Sequence, residues 1–432
     1  MLAVKTKNNF AHQFEPAMKK YLQILTLFVI ITATQTKAQE VSSANYAQLD
    51  SFLLAANKNQ WIAGATALVM KNNQTVFEKA YGFRDREANA TLKTDDIFRI
   101  ASMTKPIVTV AAMILVEKGK LNLDDEIWKY IPEFKNPQVL KSYDAKANTW
   151  IAEPAKSQIT VRQLMTHTSG IGTGQDDKIL GTLYEKNGFK ALMFADSIEL
   201  GTSVKKLGSL PLAANPGEKF HYGNSIDVLG YLVEIISGEK LDRFVSKNIL
   251  MPLKMKDTYF FMPEEKKGRL AVLYAEMQSG KLTRIPQGFM GYNINYPFSG
   301  PKKYFSGSGG MSSTAQDYAQ FLAMILNNGT SLDGKRILKP ATIALMAKNQ
   351  IGEVSLANSN KFGLGFEIES RQTPPRKASA GKLSWGGAFN TTFWIDPKRK
   401  SIAILMSQVY PAMHQRNLYT GFEKFVNEAL DK

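Results

Sequence analysis

Cysteine is absent from the 432 residues. That excludes disulfides, a cysteine nucleophile, thiolate metal sites and a lipid-modified cysteine at a mature N-terminus. Histidine is scarce, with four residues: His12, His167, His221 and His414. The last three do not fall at metal-ligand spacing, so a zinc hydrolase is unsupported, and no metal or other cofactor is expected. There is no G-x-S-x-G elbow, no Walker loop and no G-x-G-x-x-G, which leaves a Ser-His-Asp hydrolase poorly supported. Beyond the N-terminal region no apolar run approaches the roughly 20 residues of a membrane span. What is present is a core-forming composition: 44% hydrophobic and 10% aromatic residues. It excludes a disordered chain, a collagen-like fibre and a disulfide-stapled mini-protein. The length allows two or three domains or one large catalytic unit.

The N-terminus reads as export machinery rather than fold. Met18-Lys19-Lys20 opens a basic stretch, Ile24 to Ile31 is mostly apolar, and small and polar residues lead to Ala38. This is the pattern of a signal peptide, with Met18 as the translation start and cleavage near Ala38. The competing readings are a buried helix or a membrane anchor, for which the apolar run is short. Residues 1–38 are therefore expected to be upstream residues and signal peptide. Residues 39–432 are expected to be a single soluble catalytic unit, periplasmic or secreted, with no stable membrane anchor. Acidic residues are the minority, 38 against 54 Lys+Arg, for a formal net charge of +16. Residues 1–38 carry five lysines and one glutamate, so the remainder stands near +12. The cations form short clusters, Lys254/Lys256, Lys266-Lys267 and Arg376-Lys377, in polar stretches. This suggests a general attraction to anionic cell-envelope material and no nucleic-acid partner.

Hydrophobic periodicity places a helix at 45–58, a strand at 63–70, turn residues 71–74 and a return strand at 75–81. A helix from about Ser102 to Glu117 is apolar nearly all round from Pro106 to Val116, the mark of a buried central helix, and Gly119 ends it. Further helices are expected at 160–165, 225–236 (with Gly238 past its end) and 313–327. A hairpin follows, Thr391–Ile395 and Ser401–Met406 about the turn at Asp396–Arg399, and a helix at 416–430 closes the chain. Strands at both ends and helices between them predict an α/β (α+β) fold. Its antiparallel sheet is flanked by terminal helices and assembled from about 45–101 and 305–432, with an inserted all-α region at about 102–304.

The remaining route to acyl transfer is a serine with a lysine base. S-x-x-K spacing places the two side chains one helical turn apart on one face. It occurs at Ser102/Lys105, Ser203/Lys206, Ser237/Lys240, Ser299/Lys302 and Ser379/Lys382. The last three pairs have Gly or Pro in or beside a loop, and Ser203 follows Gly201-Thr202 as a surface helix start. Only Ser102 opens a buried helix, where the helix N-terminus supplies positive potential and a free N–H and where burial disfavours the lysine's charge. The alternative is that Ser102 is a plain N-cap.

Further motifs carry a family resemblance. Ser102-Met103-Thr104-Lys105, Leu164-Met165-Thr166-His167-Thr168-Ser169-Gly170 and Pro216-Gly217-Glu218-Lys219-Phe220-His221-Tyr222-Gly223-Asn224 follow in order. After them come Gly309-Gly310-Met311-Ser312-Ser313-Thr314 with Asp317, and Trp385-Gly386-Gly387. Over about residues 45–430 the chain resembles the serine beta-lactamase-like family of class C beta-lactamases, D-alanyl-D-alanine peptidases and related carboxylesterases. The resemblance implies Ser102 as the acyl-accepting nucleophile, with Lys105 and Tyr222 sharing the proton transfer; which of the two is the base stays open. It implies an oxyanion hole from the N–H groups of Ser102 and Ala388, Asn224 orienting Lys105 and the substrate, and Trp385, Gly386 and Gly387 in substrate binding. His167 reads either as a base or, more simply, as a brace for its loop through hydrogen bonds. Phe289, Tyr292, Tyr296, Phe298 and Tyr304 could line an acyl pocket or merely pack. The third motif departs from the family's Lys-Thr-Gly, which helps bind a substrate carboxylate. Trp385 and Gly386 lack that cation and hydroxyl, and each lost charge-assisted hydrogen bond is worth roughly 1.5–3 kcal/mol. The expected substrate is thus a small ester or amide, most simply an uncharged ester. A beta-lactamase or peptidoglycan-directed peptidase, and a non-catalytic binding domain, are the alternatives.

Overall fold

A computed structural model describes residues 45–173, 177–189, 198–277, 280–289, 293–298, 302–370 and 380–432. The expected signal segment, Tyr292, Ser299, Ser379 and the Arg376-Lys377 cluster lie outside these residues. Strands β1 (Gly64–Lys71), β2 (Gln74–Asp85) and β3 (Ala90–Thr91) come from the N-terminal part. Strands β10 (Lys361–Phe362), β11 (Glu367–Ile368), β12 (Leu383–Gly387), β13 (Thr391–Asp396) and β14 (Ser401–Ser407) come from the C-terminal part. Together they form one sheet in the order β10-β11-β12-β13-β14-β1-β2-β3. Every pairing in it is antiparallel. The two chain ends meet at β1 and β14, where Ala65 faces Ser407 and Lys71 faces Ser401. The β1–β2 hairpin turns on Asn72 and Asn73, with φ of 50° and 65°. Asparagine tolerates that left-handed region better than most side chains.

Period-two alternation assigns the two faces of this sheet. Ala65, Ala67 and Val69 of β1, Trp394 of β13, and Ala403 and Leu405 of β14 pack on α1 (Ala47–Lys58) and α10 (Gln415–Leu430). Those helices contribute Leu49, Leu53, Leu418, Phe422 and Val426. Leu68, Met70, Phe393, Ile395, Ile402, Ile404 and Met406 point the other way. They bury against α8 (Ala315–Leu326) and the large core around α2 (Thr104–Glu117). Fully burying one such side chain contributes about 1.5–3 kcal/mol.

From Thr104 to Leu115 every residue of α2 is buried, as its all-round apolar sequence predicts. Its start differs from expectation. Ala101–Met103 form one 3-10 turn and the α-helix begins at Thr104. Around α2 stand α3 (Val161–Met165), α4 (Lys178–Lys186), α5 (Leu200–Gly208), α6 (Ser225–Ser237) and α7 (Leu241–Val245). Helix α3 carries a full capping box between Thr160 and Gln163, and Gly238 closes α6 at φ 72°. The inserted region is not purely helical. It holds two antiparallel hairpins, β5 (Gln138–Asp144) with β6 (Thr149–Pro154) and β7 (Tyr274–Glu276) with β8 (Leu282–Arg284). The short strands β4 (Phe98–Arg99) and β9 (Ser312–Ser313) pair beside the start of α2, and α9 (Pro340–Met346) precedes β10. Among the described residues no helix is long and apolar enough to cross a membrane.

Candidate active site

Strand β4 delivers the chain to the 3-10 turn that carries Ser102. Ala101 stands at φ 42°, a left-handed conformation uncommon for a residue with a Cβ. It is held there by burial against Leu273, Ala275, Ile285 and Phe389. The turn lifts Ser102 to the wall of a 540 Å³ cleft that is also lined by Phe220, Tyr222, Trp385, Gly386, Gly387 and Ala388.

Ser102 Oγ is contacted by two proton-carrying groups. Lys105 Nζ lies 3.1 Å away, one turn along the chain, and Tyr222 Oη donates to it at 2.6 Å. The Ser102 side chain does not cap α2, so the N-cap alternative does not describe it. Lys105 is buried, donates to the Ser308 carbonyl at 2.6 Å and sits 4.6 Å above the Tyr222 ring. One serine oxygen between an amine and a phenol is an arrangement that can pass a proton away from a nucleophile as it attacks.

Asn224 differs from expectation. It is fully buried, its Nδ2 donates to the Gly172 carbonyl at 2.9 Å, and its Oδ1 has no partner among the described residues. The second contact of Lys105 is the Ser308 carbonyl, while Asn224 Nδ2 braces the 171–172 segment through the Gly172 carbonyl. His167 holds its loop in part as expected, its carbonyl accepting from His221 N–H at 2.7 Å. Its backbone is left-handed at φ 56° and its Nδ1 is unpartnered among the described residues. Its ring packs 4.7 Å from Tyr222, 5.8 Å from Phe220, 5.7 Å from Phe362 and, stacked, 6.4 Å from Trp385. Burial, then Lys105 and His221, push the imidazole well below its ordinary range, so it is neutral. Its side chain braces by ring packing.

Of the other S-x-x-K serines among the described residues, Ser203 and Ser237 do not line the cleft. Ser203 is not a surface helix start; it is buried inside α5. Ser237 Oγ returns to the Val233 carbonyl at 2.6 Å. Lys382 is buried in an ion cluster with Glu369 and Glu423 that ties β12 to α10. Of the aromatic residues weighed as an acyl pocket, Tyr296 and Tyr304 are buried in the interior, and Phe298 packs on Ile97 and Met262. Phe289 packs behind the cleft beside Ala388 and Phe389. Trp385 is the aromatic wall instead, at 5.6 Å from Tyr222 and edge-on to Phe362 at 5.2 Å.

Gly387 is required by close approach. A Cβ there would stand 2.3 Å from the Ile100 carbonyl and 2.4 Å from Thr391 Oγ1. Asn390 N–H returns to the Gly387 carbonyl at 3.2 Å, closing the turn that carries Ala388. We expect Gly387→Ala to push β12 off the Ser102 turn and lower kcat/KM by about 10²-fold, since a misplacement near 1 Å costs that much. Wild-type kinetics in this variant would show that the strand yields without consequence.

Residues 49–422 match the Beta-lactamase family, and the chain belongs to that family. Esterase EstB of Burkholderia gladioli is 29% identical over 382 residues, covering 85% of this chain and 91% of its own. Lovastatin esterase of Penicillium rubens is 27% identical over 328 residues, with 70% and 77% covered. Among solved structures, EstCE1, a hydrolase with promiscuous acyltransferase activity, superposes with a TM-score of 0.75 at 25% identity, covering 90% of this chain and 99% of that one. The class is a serine hydrolase of the beta-lactamase fold with esterase-type acyl transfer.

Proposed function

We propose that the protein is a carboxylesterase that works through an acyl-enzyme on Ser102. The observation that carries this reading is the pair of contacts on Ser102 Oγ, 3.1 Å from Lys105 Nζ and 2.6 Å from Tyr222 Oη. Ser102 attacks the ester carbonyl, and its proton passes to the Lys105–Tyr222 pair. The N–H groups of Ser102 and Ala388 receive the developing oxyanion, a role in which losing one donor costs about 3–4 kcal/mol. The proton then returns to the leaving alcohol, and water repeats the sequence on the acyl-enzyme.

The substrate is read from the cleft wall. Trp385 stands where relatives that bind a carboxylate carry a cation, and its ring belongs to the aromatic group of His167, Tyr222 and Phe362. Such a wall suits an uncharged acyl or alkyl group. We expect kcat/KM for a non-activated short-chain alkyl ester to exceed that for penicillins and cephalosporins by at least about 10²-fold, which is roughly 2.7 kcal/mol of transition-state binding. Trp385→Lys should narrow the gap. It is cleaner than a change at Gly386, whose Cβ would stand 3.0 Å from the Thr391 carbonyl. Efficient beta-lactam hydrolysis with negligible alkyl-ester turnover would replace this reading with a beta-lactamase or D-alanyl-D-alanine peptidase.

A further inference from the structure

Behind Lys105 lies a second layer with no obvious structural need for a charge. Asp227 sits in the first turn of α6, three residues after Asn224, and is 1% exposed. Its Oδ1 accepts from Ser306 Oγ at 2.9 Å and from Ser308 N–H at 3.1 Å. Its Oδ2 has no partner among the described residues. Gly307, between those two serines, lies so close to α6 that a Cβ would meet the Ile226 carbonyl at 2.5 Å. The 306–308 turn is thus pinned to the helix that also carries Asn224 at its start. Its next carbonyl, that of Ser308, is the one that Lys105 Nζ reaches at 2.6 Å.

A buried carboxylate is costly unless an opposite charge or strong donors compensate it. Lys105 acts on Asp227, and Asp227 in turn acts on Tyr296 and Tyr304. Burial raises both tyrosines out of their ordinary range, so they are neutral. Arg99, which faces Tyr296, is occupied by the carbonyls of Tyr296, Ala271 and Ile294. Among the described residues Lys105 is the cation left to balance Asp227, and it pulls that carboxyl back down against the upward push of burial. Around Lys105 itself stand Ser102, the Tyr222 ring, neutral His167 and the Ser308 carbonyl.

We propose that Asp227 is a positioning residue for Lys105: it anchors the 306–308 turn and, through the Ser308 carbonyl, holds the Lys105 ammonium against Ser102. This rests on the roles given above to Ser102, Lys105 and Tyr222. The effect of Asp227 is on where Lys105 points and on the charge beside the Ser102–Lys105–Tyr222 unit.

The test is the pH profile of kcat/KM for a short-chain alkyl ester, with the full chain and the variants Asp227→Asn, Ser306→Ala and Lys105→Ala. Asparagine keeps an oxygen for Ser308 N–H and removes the charge. Losing a negative charge beside the coupled Ser102–Lys105–Tyr222 unit leaves the unit's protonated form less favoured, so the alkaline limb should move to lower pH by about one unit. The plateau kcat should fall about tenfold with KM within about twofold. Ser306→Ala keeps the charge and loses one anchor, so kcat should fall by about threefold with the limb unmoved. An unmoved limb in Asp227→Asn overturns the proposal, whatever the plateau, because a merely structural role lowers the plateau alone. If Asp227→Asn does not fold, Ser306→Ala decides: a lowered kcat at unchanged KM and melting temperature supports the anchor, and wild-type kcat overturns it. Full activity in Lys105→Ala would instead sink the reading of the site itself.

Discussion

Ser102→Ala should lower kcat/KM for an alkyl ester by on the order of 10³-fold or more, with the melting temperature nearly unchanged. Only Oγ is removed, and Ser102 is partly exposed at the cleft rather than part of the core. Lys105 keeps its bond to the Ser308 carbonyl, and the backbone of the Ala101–Met103 turn needs nothing from the hydroxyl. The loss is therefore chemical rather than structural. A fluorophosphonate should label the wild-type chain once, and mass spectrometry should place the adduct on the Ser102 peptide. The rival S-x-x-K serines make this a sharp test. Ser203 is buried inside α5, and Ser237 Oγ is committed to the Val233 carbonyl. An adduct on Ser203, or full activity in Ser102→Ala, would remove the proposed nucleophile.

Why Ser102 stood out among five equal spacings is a matter of local sequence. The apolar run after it cannot face water, so the helix it opens had to be central, and α2 is indeed buried from Thr104 to Leu115. Both terminal helices were legible because each has one apolar face at a regular period, and the β1–β2 and β13–β14 hairpins because short apolar strand runs are bounded by turn residues. The β5–β6 hairpin was not legible for the converse reason. Its residues are mostly half-buried or exposed, so no alternation marks it. The 3-10 turn at Ala101 was hidden too. An alanine at φ 42° is dictated by its packing on Leu273, Ile285 and Phe389, which lie far off in sequence. Asp227 is the clearest case. Alone it reads as an acidic residue in the first turn of a helix, a common surface feature. Its meaning comes from Ser308, 81 residues away. Asn224 follows Tyr222 in the motif, yet its amide donates to the Gly172 carbonyl and Lys105 donates to the Ser308 carbonyl, contacts set by where the 171–172 and 306–308 segments fold back.

Lys105→Ala and Tyr222→Phe should each lower kcat/KM by about 10³-fold, and the double variant should be no more than a few-fold worse than either. Independent contributions would instead multiply to about 10⁶-fold. The argument is geometric. Both groups touch the same Ser102 oxygen, and Lys105 Nζ lies 4.6 Å over the Tyr222 ring. A proton leaving Ser102 meets the two as one acceptor, and removing either member leaves the other without the charge that makes it useful. Tyr222→Phe is the better-controlled change, since it keeps the ring that packs on His167 and Trp385 and deletes only the hydroxyl. His167→Ala serves as the counter-test. His167 is buried and neutral, and its ring is part of the aromatic wall. Its loss should cost stability, with a smaller effect on the chemical step. If the Lys105 and Tyr222 losses multiply, or if His167→Ala is the most damaging of the three to kcat, proton transfer runs through a different group and the pair on Ser102 is not its working unit.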